Sequence, residues 1–76
     1  MTTRAHVVDM ANQIARNFGT LDPPAAAEAT AVHICDFWTQ RMRAFLAEAA
    51  RDDDAGLSPV ARDAARIAAE LPQPTS

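Results

Sequence analysis

His33 and Cys35 are the first residues whose types suggest chemistry, since imidazole and thiolate are the usual ligands of zinc. Two positions apart on a helix, however, side chains diverge by roughly 200°, so this pair cannot share an ion unaided. No CxxC or HExxH spacing and no third ligand accompanies them, and the alternative is a half-buried histidine beside a small core thiol. His6 and Asp9 stand at i, i+3 and could mimic a base with its orienter, but no nucleophile is placed beside them, so they read as a surface pair. Asp52-Asp53-Asp54 lacks the alternating oxygen donors and terminal glutamate of a calcium loop and reads as a solvated connection. No catalytic, cofactor-binding or metal-binding residues are expected in this chain.

The residues better suited to recognition are basic, amide and aromatic. Arg41 and Arg43 project to different sides of a helix and cannot form one anion fork; one can stack on Trp38 or Phe37 while the other meets a partner. Arginine stems covering aromatic rings at an ordinary surface would give the same pattern. Arg62 and Arg66, at i, i+4, share a face. Asn12 and Gln13 place amides on a first helix, where they can hydrogen-bond across an interface or simply face water.

These groups need scaffolding, and the composition supplies helices. Alanine dominates, tyrosine is absent and β-branched residues are thinly spread, which favours helix over strand. The spacing predicts an all-α fold, a small bundle of three or four short helices in a single domain over residues 1–71, with a flexible tail over 72–76. Alanine richness lets such helices approach closely. At 76 residues the chain buries only about 60% of its unfolded surface, so its stability margin is thin.

Thr3 is an acceptable cap for a first helix with apolar positions at Val7, Met10, Ala11, Ile14 and Phe18, and Gly19 is expected to end it with positive φ. Asp22-Pro23-Pro24 signals a second start, with Asp22 expected to accept from the orphan N–H groups. Its packing stripe is Ala27, Ala31, Ile34 and Trp38, widened by Val32, Cys35 and Phe37. The stripe continues through Met42, Phe45, Leu46 and Ala49, which suits one helix over 23–51; alternatively Thr39 caps a new one. Arg41 and Arg43 in a first turn would oppose the helix dipole. Phe37, Trp38 and Met42 are expected on the inner side of this region, with the arginines facing a partner. Ser58-Pro59 opens a last helix with Val60, Ala64, Ile67 and Leu71 as its apolar positions.

The balance of charge limits the function classes. Net charge is −3 and every basic side chain is arginine, so a generic phosphate-binding surface is not expected. One cysteine precludes an internal disulfide, and no apolar run reaches the length of about 18 residues that a membrane span needs. The N-terminus opens directly into an amphipathic pattern, and a cytoplasmic location follows as the simplest expectation.

Three blocks in order, Met10-Ala11-Asn12-Gln13-Ile14, then Phe37-Trp38-Thr39-Gln40-Arg41-Met42-Arg43, then Gly56-Leu57-Ser58-Pro59-Val60, make the chain resemble the delta subunit of NAD-dependent formate dehydrogenase from about Val7 to Ala65. The family commonly has Asp-Pro after the tryptophan, where this chain has Thr39-Gln40. That pattern implies a cap and a helix start, favouring a break or kink near Thr39.

The resemblance implies a non-catalytic accessory subunit of a soluble complex that oxidises formate to carbon dioxide and passes electrons to NAD. It would support assembly, stability or cofactor retention. The molybdenum or tungsten pterin, iron–sulfur clusters, FMN and NAD would belong to larger partner subunits, in keeping with a single cysteine and no dinucleotide fingerprint here. The expected partner-binding residues are Asn12, Gln13, Phe37, Trp38, Arg41, Arg43, Leu57, Ser58 and Pro59. An isolated chain would have this face free for self-association. The alternative is a helix-turn-helix or antitoxin-like regulator using Arg41, Arg43, Arg62 and Arg66, which requires those arginines to converge.

Overall fold

The computed structural model describes residues 3–52 and 54–71. They form four helices, α1 (Arg4–Asn17), α2 (Pro23–Phe37), α3 (Gln40–Ala50) and α4 (Pro59–Glu70), with no strand among the described residues. The expected tail, 72–76, lies outside them.

Each helix starts where the sequence offers a short oxygen-bearing side chain. The Thr3, Thr39 and Ser58 hydroxyls accept from the backbone N–H groups of His6, Met42 and Ala61 at 3.1, 3.2 and 3.2 Å, each satisfying one orphan donor. Asp22 departs from expectation: its carbonyl accepts from Ala26 N, but its carboxylate makes no capping bond. Pro23 and Pro24 occupy the first two helical positions and have no N–H to offer, which removes one of the two usual donors for such a cap.

Gly19 also departs. The cap of α1 is Phe18, and the only described residue at positive φ is Gly56, at 89°. Gly19 instead donates to the Arg16 carbonyl at 3.0 Å, and a Cβ built there would meet that same oxygen at 3.0 Å. The tight turn after α1 therefore uses the missing side chain rather than the left-handed conformation.

Helix α2 ends at Phe37 and α3 starts at Gln40, so the chain breaks at Thr39 and is not one helix over 23–51. Trp38 and Thr39 are both extended. The dipole objection is met by geometry. Arg43 Nη1 donates to the Trp38 carbonyl at 2.7 Å, so its charge also meets the negative end of α2.

The core draws on all four helices, and α2 against α4 is the most extensive pairing. Alanines line its centre: Ala11 and Ala15 of α1, Ala31 of α2, Ala49 of α3, and Ala61, Ala64, Ala65 and Ala68 of α4 are all buried. Of the larger residues expected at the centre, Val7, Ile34 and Leu46 are buried there, whereas Met10, Ile14, Val60, Ile67 and Leu71 are half-buried and pack against it. Small side chains let the backbones approach, and the longer ones then pack around each seam. Thr30 is buried on α2, where its hydroxyl donates to the Ala26 carbonyl at 2.7 Å.

Candidate docking surface

Trp38 anchors the junction between α2 and α3. It is 6% exposed and packs in the core cluster, while Met42 is partly buried against that cluster. Phe37 reverses its expected inward placement and is 73% exposed. Consecutive helical residues diverge by about 100°, and with Trp38 directed to the core its neighbour is carried outward. His33 packs on the Phe37 ring at 4.8 Å between centroids with a 38° tilt, which restricts an otherwise free aromatic group.

The two arginines of this stretch do different jobs. Arg41 is exposed, with its guanidinium 5.9 Å from the Phe45 ring centroid, in cation–π range. Arg43 is half-buried and holds the Trp38 carbonyl.

Across the molecule, Asn12 reaches the loop before α4. Its Nδ2 donates to the Gly56 carbonyl and its Oδ1 accepts from Ser58 N, both at 2.9 Å. The partners dictate the amide's orientation, since a carbonyl needs the NH2 and an N–H needs the oxygen. Leu57, between them, is buried at 8% exposure. Gln13 and Pro59 are exposed, and Ser58 is half-buried as the cap of α4.

Eight of the nine residues expected at a partner surface form two arrangements, and the ninth, Gln13, is an exposed neighbour of Asn12 on α1. Asn12, Leu57, Ser58 and Pro59 gather where α1 meets the start of α4; Phe37, Trp38, Arg41 and Arg43 gather at the α2–α3 break. Of the nine, Gln13, Phe37, Arg41 and Pro59 face outward, whereas Trp38 and Leu57 belong to the core.

The basic residues do not make one surface of four free charges. Arg62 Nη1 donates to the Ala50 carbonyl at 2.8 Å and Nη2 approaches the Asp52 carbonyl at 3.5 Å, which caps α3. Arg66 pairs with Asp63 at 2.7 Å. A nucleic-acid surface would need Arg43 and Arg62 to release the helix ends that they cap.

The other candidate chemistry is similarly placed. Cys35 is half-buried with Sγ 3.8 Å from the Ala68 carbonyl, and His33 faces Phe37, so the two do not converge. His6 and Asp9 are exposed. Asp52 accepts from Asp54 N at 2.9 Å and lies 3.6 Å from Arg4, which accounts for its carboxylate as a loop organiser. No group of three or more His, Cys, Asp or Glu side chains among the described residues is arranged to hold a metal. The lone thiol and its surroundings do not fit an iron–sulfur cluster, which takes several cysteine ligands.

Residues outside the sequence-derived set also stand out. Val32 was expected to widen the α2 packing stripe but is 46% exposed, and Leu21 just before the helix is 44% exposed. A groove of about 540 Å³ runs between α2 and α4, lined by Pro24, Ala27 and Ile67 together with Glu28, Asp63 and Glu70. The available signal was α2 itself, which carries apolar residues around its circumference and no arginine.

Among the described residues no helix is long and apolar enough to cross a membrane. No curated protein and no solved structure gives a significant match. A family match does extend over residues 6–65, covering α1 from its third residue, all of α2 and α3, and the first half of α4. On that span, this four-helix chain belongs to the FdsD family, the delta subunit of NADH-dependent formate dehydrogenase.

Proposed function

We propose that this protein is a non-catalytic accessory subunit that docks on the larger subunits of a formate dehydrogenase complex. It supports their assembly, stability or cofactor retention in the cytoplasm. The observation that carries this reading is Phe37, a large aromatic ring 73% exposed on a junction held by the Thr39 cap and the Arg43 bond to Trp38. A rigidly mounted aromatic beside an arginine is the kind of anchor that dominates interface energetics, because little side-chain freedom is lost when it docks.

In this reading Phe37 and Arg41 make the leading contacts, and Gln13 and Pro59 add outward-facing ones. Asn12, Trp38, Arg43, Leu57 and Ser58 hold the shape of the two corners from within. The molybdenum or tungsten pterin, iron–sulfur clusters, FMN and NAD reside in the larger subunits, where formate is oxidised.

Co-expression of the complex with and without this chain tests the proposal. The chain is expected to co-purify with the larger subunits, and its omission to lower their yield, thermal stability or metal and flavin content. Larger subunits that assemble with full cofactor content and never retain the chain would contradict it, as would formate oxidation by the chain alone.

A further inference from the structure

We propose that the outward face of α2, from Ala25 to Phe37, together with the groove it shares with α4, is covered in the complex by a larger subunit. The matching surface of that subunit is apolar and rimmed by lysine or arginine. This rests on the reading of the chain as a docked subunit and adds where it docks and what chemistry it meets.

Three observations converge on that face. All the large hydrophobic side chains left exposed among the described residues, Leu21, Val32 and Phe37, fall between residues 21 and 37. Along α2, Ala25, Ala29, His33 and Phe37 follow one i, i+4 ridge, and Glu28, Val32 and Asp36 follow the adjacent one. Val32 and Phe37 therefore lie on neighbouring ridges of one helix, and Leu21 stands in the turn just before it. Apolar residues occur on every side of α2, with Glu28, His33 and Asp36 interrupting only the outer one, and apolar groups on a helix are normally turned to a packing surface. Here α3 and α1 leave the outer side open, with Val32, Asp36 and Phe37 facing solvent.

Charge gives the partner's character. Helices α1, α3 and α4 each carry arginines, whereas α2 carries none and its acidic groups are Glu28 and Asp36. In the groove, Glu28, Asp63 and Glu70 face one arginine, Arg66, which is paired with Asp63. Among the described residues, Glu28 and Glu70, one on each wall, have no ion-pair partner. An apolar strip whose unpaired edge charges are acidic favours a partner edged by basic ones, through steering and through rejection of like charge.

The experiment is co-purification of the full-length chain through a tag on a larger subunit, comparing wild type with Val32→Asp, with the pair Glu28→Arg and Asp36→Arg, and with Glu48→Arg on the exposed side of α3. Recovery is expected to fall by about tenfold or more for the first two and to stay at the wild-type level for Glu48→Arg. Because Glu28, Val32 and Asp36 are exposed, the variants should keep the wild-type helical circular dichroism and remain monodisperse. Wild-type recovery of both α2 variants would overturn this surface while leaving the accessory role intact. Failure of the wild-type chain itself to co-purify would overturn both. A homodimer that Val32→Asp dissociates, with capture by the larger subunits unaffected, would assign the face to a second copy and refute the proposal.

Discussion

Asn12 and Ser58 are 46 residues apart in sequence and joined by a 2.9 Å hydrogen bond in which Asn12 Oδ1 accepts from the Ser58 backbone. With the second bond from Nδ2 to Gly56, one amide fixes α1 to the entrance of α4. The same residue that a sequence reading offers to a partner is thereby committed to the fold, and its effect on docking would be exerted through the position of the 57–59 corner.

Asn12→Ala is therefore expected to lower stability by about 1 to 3 kcal/mol, because two backbone groups lose their partners at once. Thermal unfolding followed by circular dichroism checks this, and Gln13→Ala, on an exposed neighbour, is expected to stay within about 0.5 kcal/mol of wild type.

Gly56 carries the one described positive φ, 89°, with open space where a Cβ would project. Its replacement by alanine then costs backbone strain rather than a clash, about 1 to 2 kcal/mol. Gly56→Asn should recover part of that loss, since asparagine tolerates positive φ better than alanine does, and chemical denaturation of the three proteins would show the order.

Arg43 and Arg62 each cap the helix that precedes their own. Replacing either with methionine keeps much of the aliphatic stem and removes a charge-assisted bond, at a cost of about 1.5 to 3 kcal/mol. For a chain of this size each kcal/mol corresponds to about 4 to 8 °C in melting temperature. Arg41→Met, removing an exposed group, should leave the melting temperature nearly unchanged while weakening co-purification.

Trp38 and Phe37 are neighbours with opposite exposures, 6% and 73%. Trp38→Ala is expected to cost about 3 to 5 kcal/mol of stability. Phe37→Ser should leave the fold intact and reduce recovery of the complex. Equal losses of stability in the two variants would contradict this division of roles.

Much of the fold was legible because helix starts are local. Thr3 and Ser58 announce caps in their own sequence, whereas at Thr39 the apolar stripe runs on without a phase jump and the family resemblance is what favours a break; all three hydroxyls cap. Asp22 makes no side-chain cap, because Pro24 at the second helical position removes one of the two N–H groups that such a cap uses. Apolar character alone points Phe37 and Val32 inward, but the monomer does not cover every side of a helix that carries apolar residues around most of its circumference. The partners of Asn12, Arg43 and Arg62 could not be read from spacing, since each depends on how one helix is turned against another.

The two arginine caps have a consequence for biosynthesis. As the chain leaves the ribosome, α2 lacks its final acceptor's partner until residue 43 has emerged, and α3 lacks its own until residue 62 has. Each segment is finished by the one translated after it. A nascent chain halted just before α4 would already contain both partners of Asn12 but would leave the carbonyl end of α3 open, so the terminal helix is the piece that closes it.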